Sequence, residues 1–232
     1  RARAEQILTA NLNNAGDVMR VYNKYLFLLT EGITVEKWIT AGSHDRREYS
    51  VTIDKYRKLY DEVLQRMPYF LRLNMVYIDS TELKRRCLKL VQQIIERLEK
   101  SIYELVMQRN IFILKELTRI IDVASEKAYT SEKVVELETF MEKVRRTDFR
   151  QLSELHSDMI RWVSISLYNS GYGVTEDDLK QLHITSDYLH KFLGKLDVEE
   201  SRLFSERFAI EEKIKDHSKE FGKKVQELLK EL

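Results

Sequence analysis

The chain has 232 residues, seven glycines and a single proline, Pro68. Average usage would give roughly 16 Gly and roughly 12 Pro, so sandwiches, barrels and nucleotide-binding α/β folds lose most of their support and an all-α fold is expected. Thirty-nine Lys+Arg against 38 Asp+Glu leave a net charge of +1, which supplies no overall field to draw in nucleic acid or an anionic membrane.

Hydrophobic residues at 43% supply enough apolar surface for a core, and charged residues at 33% suit long helices with one wet face. The one cysteine, Cys87, cannot form an internal disulfide and favours a reducing, intracellular setting. No run approaches 18 uninterrupted apolar residues, and the N-terminus lacks the apolar core of a signal peptide. A chain that starts at Arg1 without methionine is expected to be a piece of something larger.

The first element is expected at Asp17–Leu29, with Val18, Val21, Tyr22, Tyr25, Leu28 and Leu29 at helical spacing. Gly32 should close it, and Thr34 should open a short helix that carries Trp38 to a break at Gly42 and Ser43. A helix over Arg46–Met67 buries Tyr49, Ile53, Tyr56, Tyr60, Val63, Leu64 and Met67, and Pro68 ends it. Residues 69–78 read as an irregular, extended apolar segment laid across the bundle.

Asp79-x-x-Glu82 has the form of a capping box. From Ser80 to Ala124 there is then neither Gly nor Pro, and Leu83, Cys87, Val91, Ile94, Leu98, Ile102, Leu105, Phe112 and Leu117 make one stripe. A helix of about 44 residues is about 66 Å long, whereas a compact globule of this size is roughly 45 Å across. The expected fold is therefore all-α, with elongated bundles of long antiparallel helices. The expected domains are an N-terminal bundle over residues 1–79 and a long-helix bundle over 80–232.

A short helix should run from Ser131 to Val144, and a second capping box, Asp148-x-x-Gln151, should open a new helix to Asn169. Asn169–Gly173 is the clearest loop in the chain. Thr175 should cap the last helix, whose first turn holds Glu176, Asp177 and Asp178, the charge preferred at the positive end of the helix dipole. Gly194 and Gly222 cost that helix about 1 kcal/mol each, too little to stop it. Val225, Leu228, Leu229 and Leu232 keep helical spacing to the last residue, so the helix is expected to run on beyond it.

No phosphate loop, dinucleotide fingerprint or zinc-protease motif is present, so no catalytic, cofactor-binding or metal site is expected. His183 and His190 lie about 10 Å apart along a helix, too far to share a metal. Cys87 reads as a small core residue. Lys84-Arg85-Arg86 and Arg145-Arg146 read as wet helix faces beside Glu82 and Glu142. Trp162 is in phase with the core. Tyr172, in the Gly-flanked loop, is the expected exposed anchor for a partner.

The block Thr130-Ser131-Glu132-Lys133-Val134-Val135-Glu136-Leu137 resembles a segment of dynein heavy chains that reads roughly Pro-x-Thr-x-Glu-Glu-Leu-Val-x-Leu, in the tail just before the linker. The proline is missing here, where Ala128 and Tyr129 stand nearby, and a lysine replaces one acidic residue. The parts that follow keep the family's order: a striped helix, a loop, the acidic start Glu176-Asp177-Asp178, and a long charged helix with Arg202, Glu206 and Arg207. Upstream, Val21-Tyr22-Asn23-Lys24-Tyr25-Leu26-Phe27-Leu28-Leu29 is similar to a Tyr-x-x-Tyr-Leu-x-Leu-Leu segment of axonemal members.

The resemblance implies a force-transmitting stem segment of an axonemal dynein heavy chain, a microtubule motor. ATP hydrolysis and microtubule contact would then lie in an AAA+ ring and stalk outside this sequence. Implied partners are dynein intermediate and light chains or a neighbouring heavy chain, with no nucleic acid and no membrane. The implied location is the axoneme of a cilium or flagellum, and no cofactor is implied for this segment. The competing reading is a free-standing helical scaffold of spectrin-like or BAR-like type. Interleaved charges and the lack of an internal repeat speak against it.

Overall fold

The computed structural model describes residues 2–42, 44–73, 76–168 and 174–231. It is an all-α helical bundle fold with one small hairpin. The first helix, α1 (Ala2–Asn23), ends in a run of tight turns in which Tyr25, Leu26 and Leu28 donate to carbonyls three residues back. The second, α2 (Leu28–Ala41), then passes straight through Gly32. The expected stop at Gly32 and start at Thr34 are thus both displaced. The three-residue turns reorient the chain, burying Tyr25 and Leu28 while Val21 and Leu29 stay exposed. Gly42 does end α2, in the left-handed region at φ 67°, which costs glycine little.

Helix α3 (Arg46–Arg66) begins at a capping box the periodicity did not signal: Asp45 and Glu48 each accept from the other's backbone N–H. The described residues of the segment expected to be irregular form two strands. Strands β1 (Phe70–Leu73) and β2 (Val76–Asp79) pair antiparallel, Phe70 opposite Asp79 and Leu71 opposite Ile78. Alternation puts Phe70, Arg72, Tyr77 and Asp79 on the wet face and half-buries Leu71 and Ile78 on the other.

The 44-residue helix α4 (Thr81–Ala124) forms as the sequence implies. Its expected capping box does not: Asp79 accepts from the Thr81 N–H at 2.9 Å, but Glu82 turns to Arg85 and Arg86. The buried stripe follows Cys87, Val91, Ile94, Leu98 and Ile102 and then shifts to Val106, Asn110, Ile113, Leu117, Ile120 and Ala124. Phe112, expected on that stripe, is exposed.

Helices α5 (Ser131–Lys143) and α6 (Phe149–Tyr168) are joined without a break by a π turn over Val144–Asp148. The second capping box is therefore absent. Asp148 sits inside helical backbone and accepts from the Thr147 hydroxyl. The extra residue in the turn shifts the apolar stripe by one, so Phe149 rather than Asp148 follows Val144 and stacks on Phe192 at 5.7 Å. The last helix, α7 (Glu176–Glu231), opens at a true capping box: Thr175 Oγ1 accepts from the Asp178 N–H, and the Asp178 carboxylate accepts from the Thr175 N–H.

Packing divides the chain into two compact units, residues 1–104 with 164–173, and residues 105–163 with 174–232. Ile53, Tyr56, Val63, Met67, Val91 and Leu98 anchor the core of the first. Leu117, Leu137, Val144, Met159, Phe192 and Leu196 anchor that of the second. No helix of the described residues is long and apolar enough to cross a membrane.

Candidate functional site: a pinned helix corner

The second unit contains the segment on which the family resemblance rests, and there the chain turns from α4 into α5 beneath α7. A helix end leaves its last carbonyls without partners. At the end of α4 these partners come from α7: the Arg202 guanidinium donates to the carbonyl oxygens of Ala124 (2.9 Å) and Glu126 (3.1 Å). A cation there also suits the negative end of the helix dipole. Arg202 is itself held by Glu199 at 2.7 Å and Glu206 at 2.6 Å. The other Glu206 oxygen accepts from the Ala128 N–H at 2.9 Å, fixing the connector.

The charges at this corner stabilise one another. Burial disfavours the Arg202 cation, yet its bonds to Glu199 and Glu206 outweigh that and hold its pKa above the ordinary value. Burial likewise acts to raise the Glu206 pKa, and the Ala128 N–H and Arg202 together bring it below the usual range. The Thr130 side chain caps α5 by accepting from the Lys133 N–H. Lys133 then bridges Glu126 (3.1 Å) and Glu136 (3.2 Å), and its pKa is raised by them.

Farther along, Arg207 of α7 bridges Glu138 of α5 and Glu211, and Arg145 of the π turn reaches Asp197 and Glu200 of α7. Beneath these clamps Val134, Leu137, Met141 and Val144 are buried, as are Leu196 and Leu203 of α7. The arrangement joins three helices through mutually satisfied groups. Its carboxylates are engaged by cations or backbone N–H groups, as in a brace.

Of the residues singled out in the sequence, Tyr172 lies outside the described residues. Trp162 is buried as expected, donating to Asp158 at 3.2 Å with the Arg109 guanidinium 5.7 Å from its ring. Trp38 is half-buried and stacks on His44 at 3.9 Å. Cys87 is buried, and burial pushes its thiol pKa up. His183 and His190 are exposed, and among the described residues no group of three His, Cys, Asp or Glu is placed to hold a metal.

The basic clusters divide. Arg85, Arg86 and Arg146 are wet and paired with Glu82 or Glu142. Lys84 is not: it is only 3% exposed, its Nζ donates to the Leu64 carbonyl at 2.7 Å, and it lies over the Tyr69 ring. The expectation of a wet face fails there because the aliphatic stem packs at a core position while the ammonium finds a backbone acceptor. The pinning role of Arg202 and Glu206 was also not legible from spacing, because their partners lie 76 to 78 residues away.

No protein-family model matches the chain, and no curated protein matches it.

Proposed function

We propose that the chain is a segment of the stem of an axonemal dynein heavy chain, with a structural, force-transmitting role between the anchored tail and the linker of a microtubule motor. The observation that supports this most is the pinned corner. The residues that carry the resemblance, Thr130–Leu137 together with Arg202, Glu206 and Arg207, are the ones that cap, bridge and brace α4, α5 and α7. A helix passes axial displacement to its neighbours only where its end is fixed to them, and Arg202 makes such a fixture at the end of α4. In this reading the segment offers helical surface to intermediate chains, light chains or a neighbouring heavy chain in the ciliary or flagellar axoneme. Hydrolysis and microtubule contact belong to the ring and stalk of the same motor.

The test is mass spectrometry of dynein arms released from axonemes by salt. Peptides of this chain should appear in the heavy-chain band and co-sediment with the ATPase. Their recovery only from a small free-standing protein outside the arms would support a helical scaffold instead. The isolated chain should show no melting shift with ATP, and a saturable shift would contradict a purely mechanical role.

A further inference from the structure

Helix α7 carries an apolar stripe that the described chain leaves bare. Every residue from 211 to 226 is exposed. Ile214 is 52% exposed, Phe221 70% and Val225 38%, with half-buried Ile210 in line before them. At about 100° per residue these four fall within about 60° of arc, so they form one seam along about 23 Å of helix. The seam starts in a groove of about 490 Å³ between α7 and the connector before α5, lined by Tyr129, Ile210, Lys213 and Ile214.

Two features of the seam say what covers it. Its spacing is palindromic: steps of four, seven and four residues join Ile210, Ile214, Phe221 and Val225, so it reads the same from either end. Its flank repeats that symmetry in charge. Lys213 and Glu220 stand on the same side of the seam, one heptad apart, and neither is in an ion pair among the described residues. Around them Arg207 is paired with Glu211, and Lys219 with Asp216. The midpoint of the two free charges lies about one residue, or about 1.5 Å, from the midpoint of the apolar spacing, beside His217. A two-fold axis at that point turns the seam onto itself and each free charge onto its opposite. This is the self-complementarity of an isologous contact, in which the same patch serves both copies. A foreign helix requires no such symmetry of the surface it binds.

We propose that α7 pairs through this seam with a second copy of the chain, as two antiparallel helices. Ile214 lies against Phe221 of the second copy, Ile210 against its Val225 and Lys213 against its Glu220, and each contact occurs twice. Phe221 and Val225 of the second copy then enter the groove beside Tyr129. A seam of this length buries roughly 1,000 Å² in total, at the small end of specific interfaces, so the pairing is reversible and concentration-dependent. The inference stands on α7 alone and does not depend on the dynein reading.

Sedimentation equilibrium should show a reversible monomer–dimer transition with Kd on the order of 10 μM. Phe221→Asp should abolish it. Lys213→Glu or Glu220→Lys alone places like charges at both symmetry-related contacts and should weaken it about tenfold. The double variant Lys213→Glu/Glu220→Lys should restore self-association and should not pair with the natural chain. Orientation is read by oxidising introduced cysteines, since the native Cys87 is buried. His217→Cys, beside the axis, should give a disulfide-linked dimer, and Val225→Cys should not. Circular dichroism checks that each variant is folded. A chain that stays monomeric at millimolar concentration, a dimer indifferent to both single charge reversals, or self-linking through Val225→Cys would each overturn the proposal. In the full chain that the gene encodes, His217→Cys should link two copies in the same way. Failure to do so there would give the seam to another segment of that chain and overturn the proposal.

Discussion

In the first unit, polar atoms pair inside the core. Tyr49 meets Ser101 at 3.2 Å, Tyr56 donates to Glu31 at 2.6 Å, Ser80 donates to Tyr22 at 2.9 Å, and buried Glu99 takes Arg57 at 3.0 Å. Burial and the neighbouring Glu31 carboxylate push the Tyr56 phenol well above its ordinary pKa, so it stays a donor. In the second unit most of the buried surface is aliphatic or aromatic and the charges act from the rim, at Arg145, Arg202 and Arg207. The first arrangement specifies partners one by one, and losing a partner leaves a buried group unmet. The second specifies a stripe, which tolerates volume-conserving exchange, and leaves orientation to its clamps.

Substitutions sharpen that contrast. Phe192→Ala, at a fully buried site of the second unit, should cost about 3–5 kcal/mol in denaturant unfolding, whereas Leu196→Met should cost under about 1.5 kcal/mol. If the two losses were equal, volume would not be what holds the stripe. In the first unit Lys84→Ala should cost about 2–3 kcal/mol, since it strands the Leu64 carbonyl and removes a packed stem. Arg85→Ala, one residue on but wet, should fall within about 0.5 kcal/mol of no change. Similar effects at the two positions would remove the distinction between them.

Arg202→Ala should cost about 1–2 kcal/mol, with its clearest mark in faster amide exchange at Glu126 and Ala128. Unchanged exchange there would mean that the corner is held by its apolar floor alone.

The smallest effect is a pH dependence in the second unit. The His156 pKa is lowered by burial and by His190, and its Nε2 lies 2.8 Å from Ser186 Oγ. Its folded state therefore binds a proton less readily than the unfolded chain does. The resulting stability is present above the ordinary histidine value of about 6.5 and lost as pH falls through it. His156→Gln should flatten stability between pH 7 and pH 5; a variant with the same slope would assign the dependence to other groups.

How much of this was legible in the sequence depended on the range of the interactions. The 44 residues of α4 were legible because Gly and Pro are absent and the stripe is local. The Thr175 cap was legible because its partner is three residues away. The π turn leaves a signal in the apolar pattern, the five-residue gap between Val144 and Phe149, that helical periodicity alone does not resolve. Asp148 meets the cap motif only in sequence, as any acidic residue three before a glutamine does, and the helical backbone around it leaves no helix end to cap. The hairpin at 70–79, the buried Lys84 and the Arg202 pin depend on pairings that no periodicity encodes.

The claim that most needs testing is that this chain is part of a motor, with its pinned corner serving the passage of force. The most direct measurement is the full-length transcript that encodes it, read downstream of Leu232. The dynein reading predicts an open frame continuing into a linker and a series of AAA+ modules with phosphate-loop motifs of the GxxxxGK[ST] form. A stop codon before any such motif would contradict it and leave a helical scaffold as the better account.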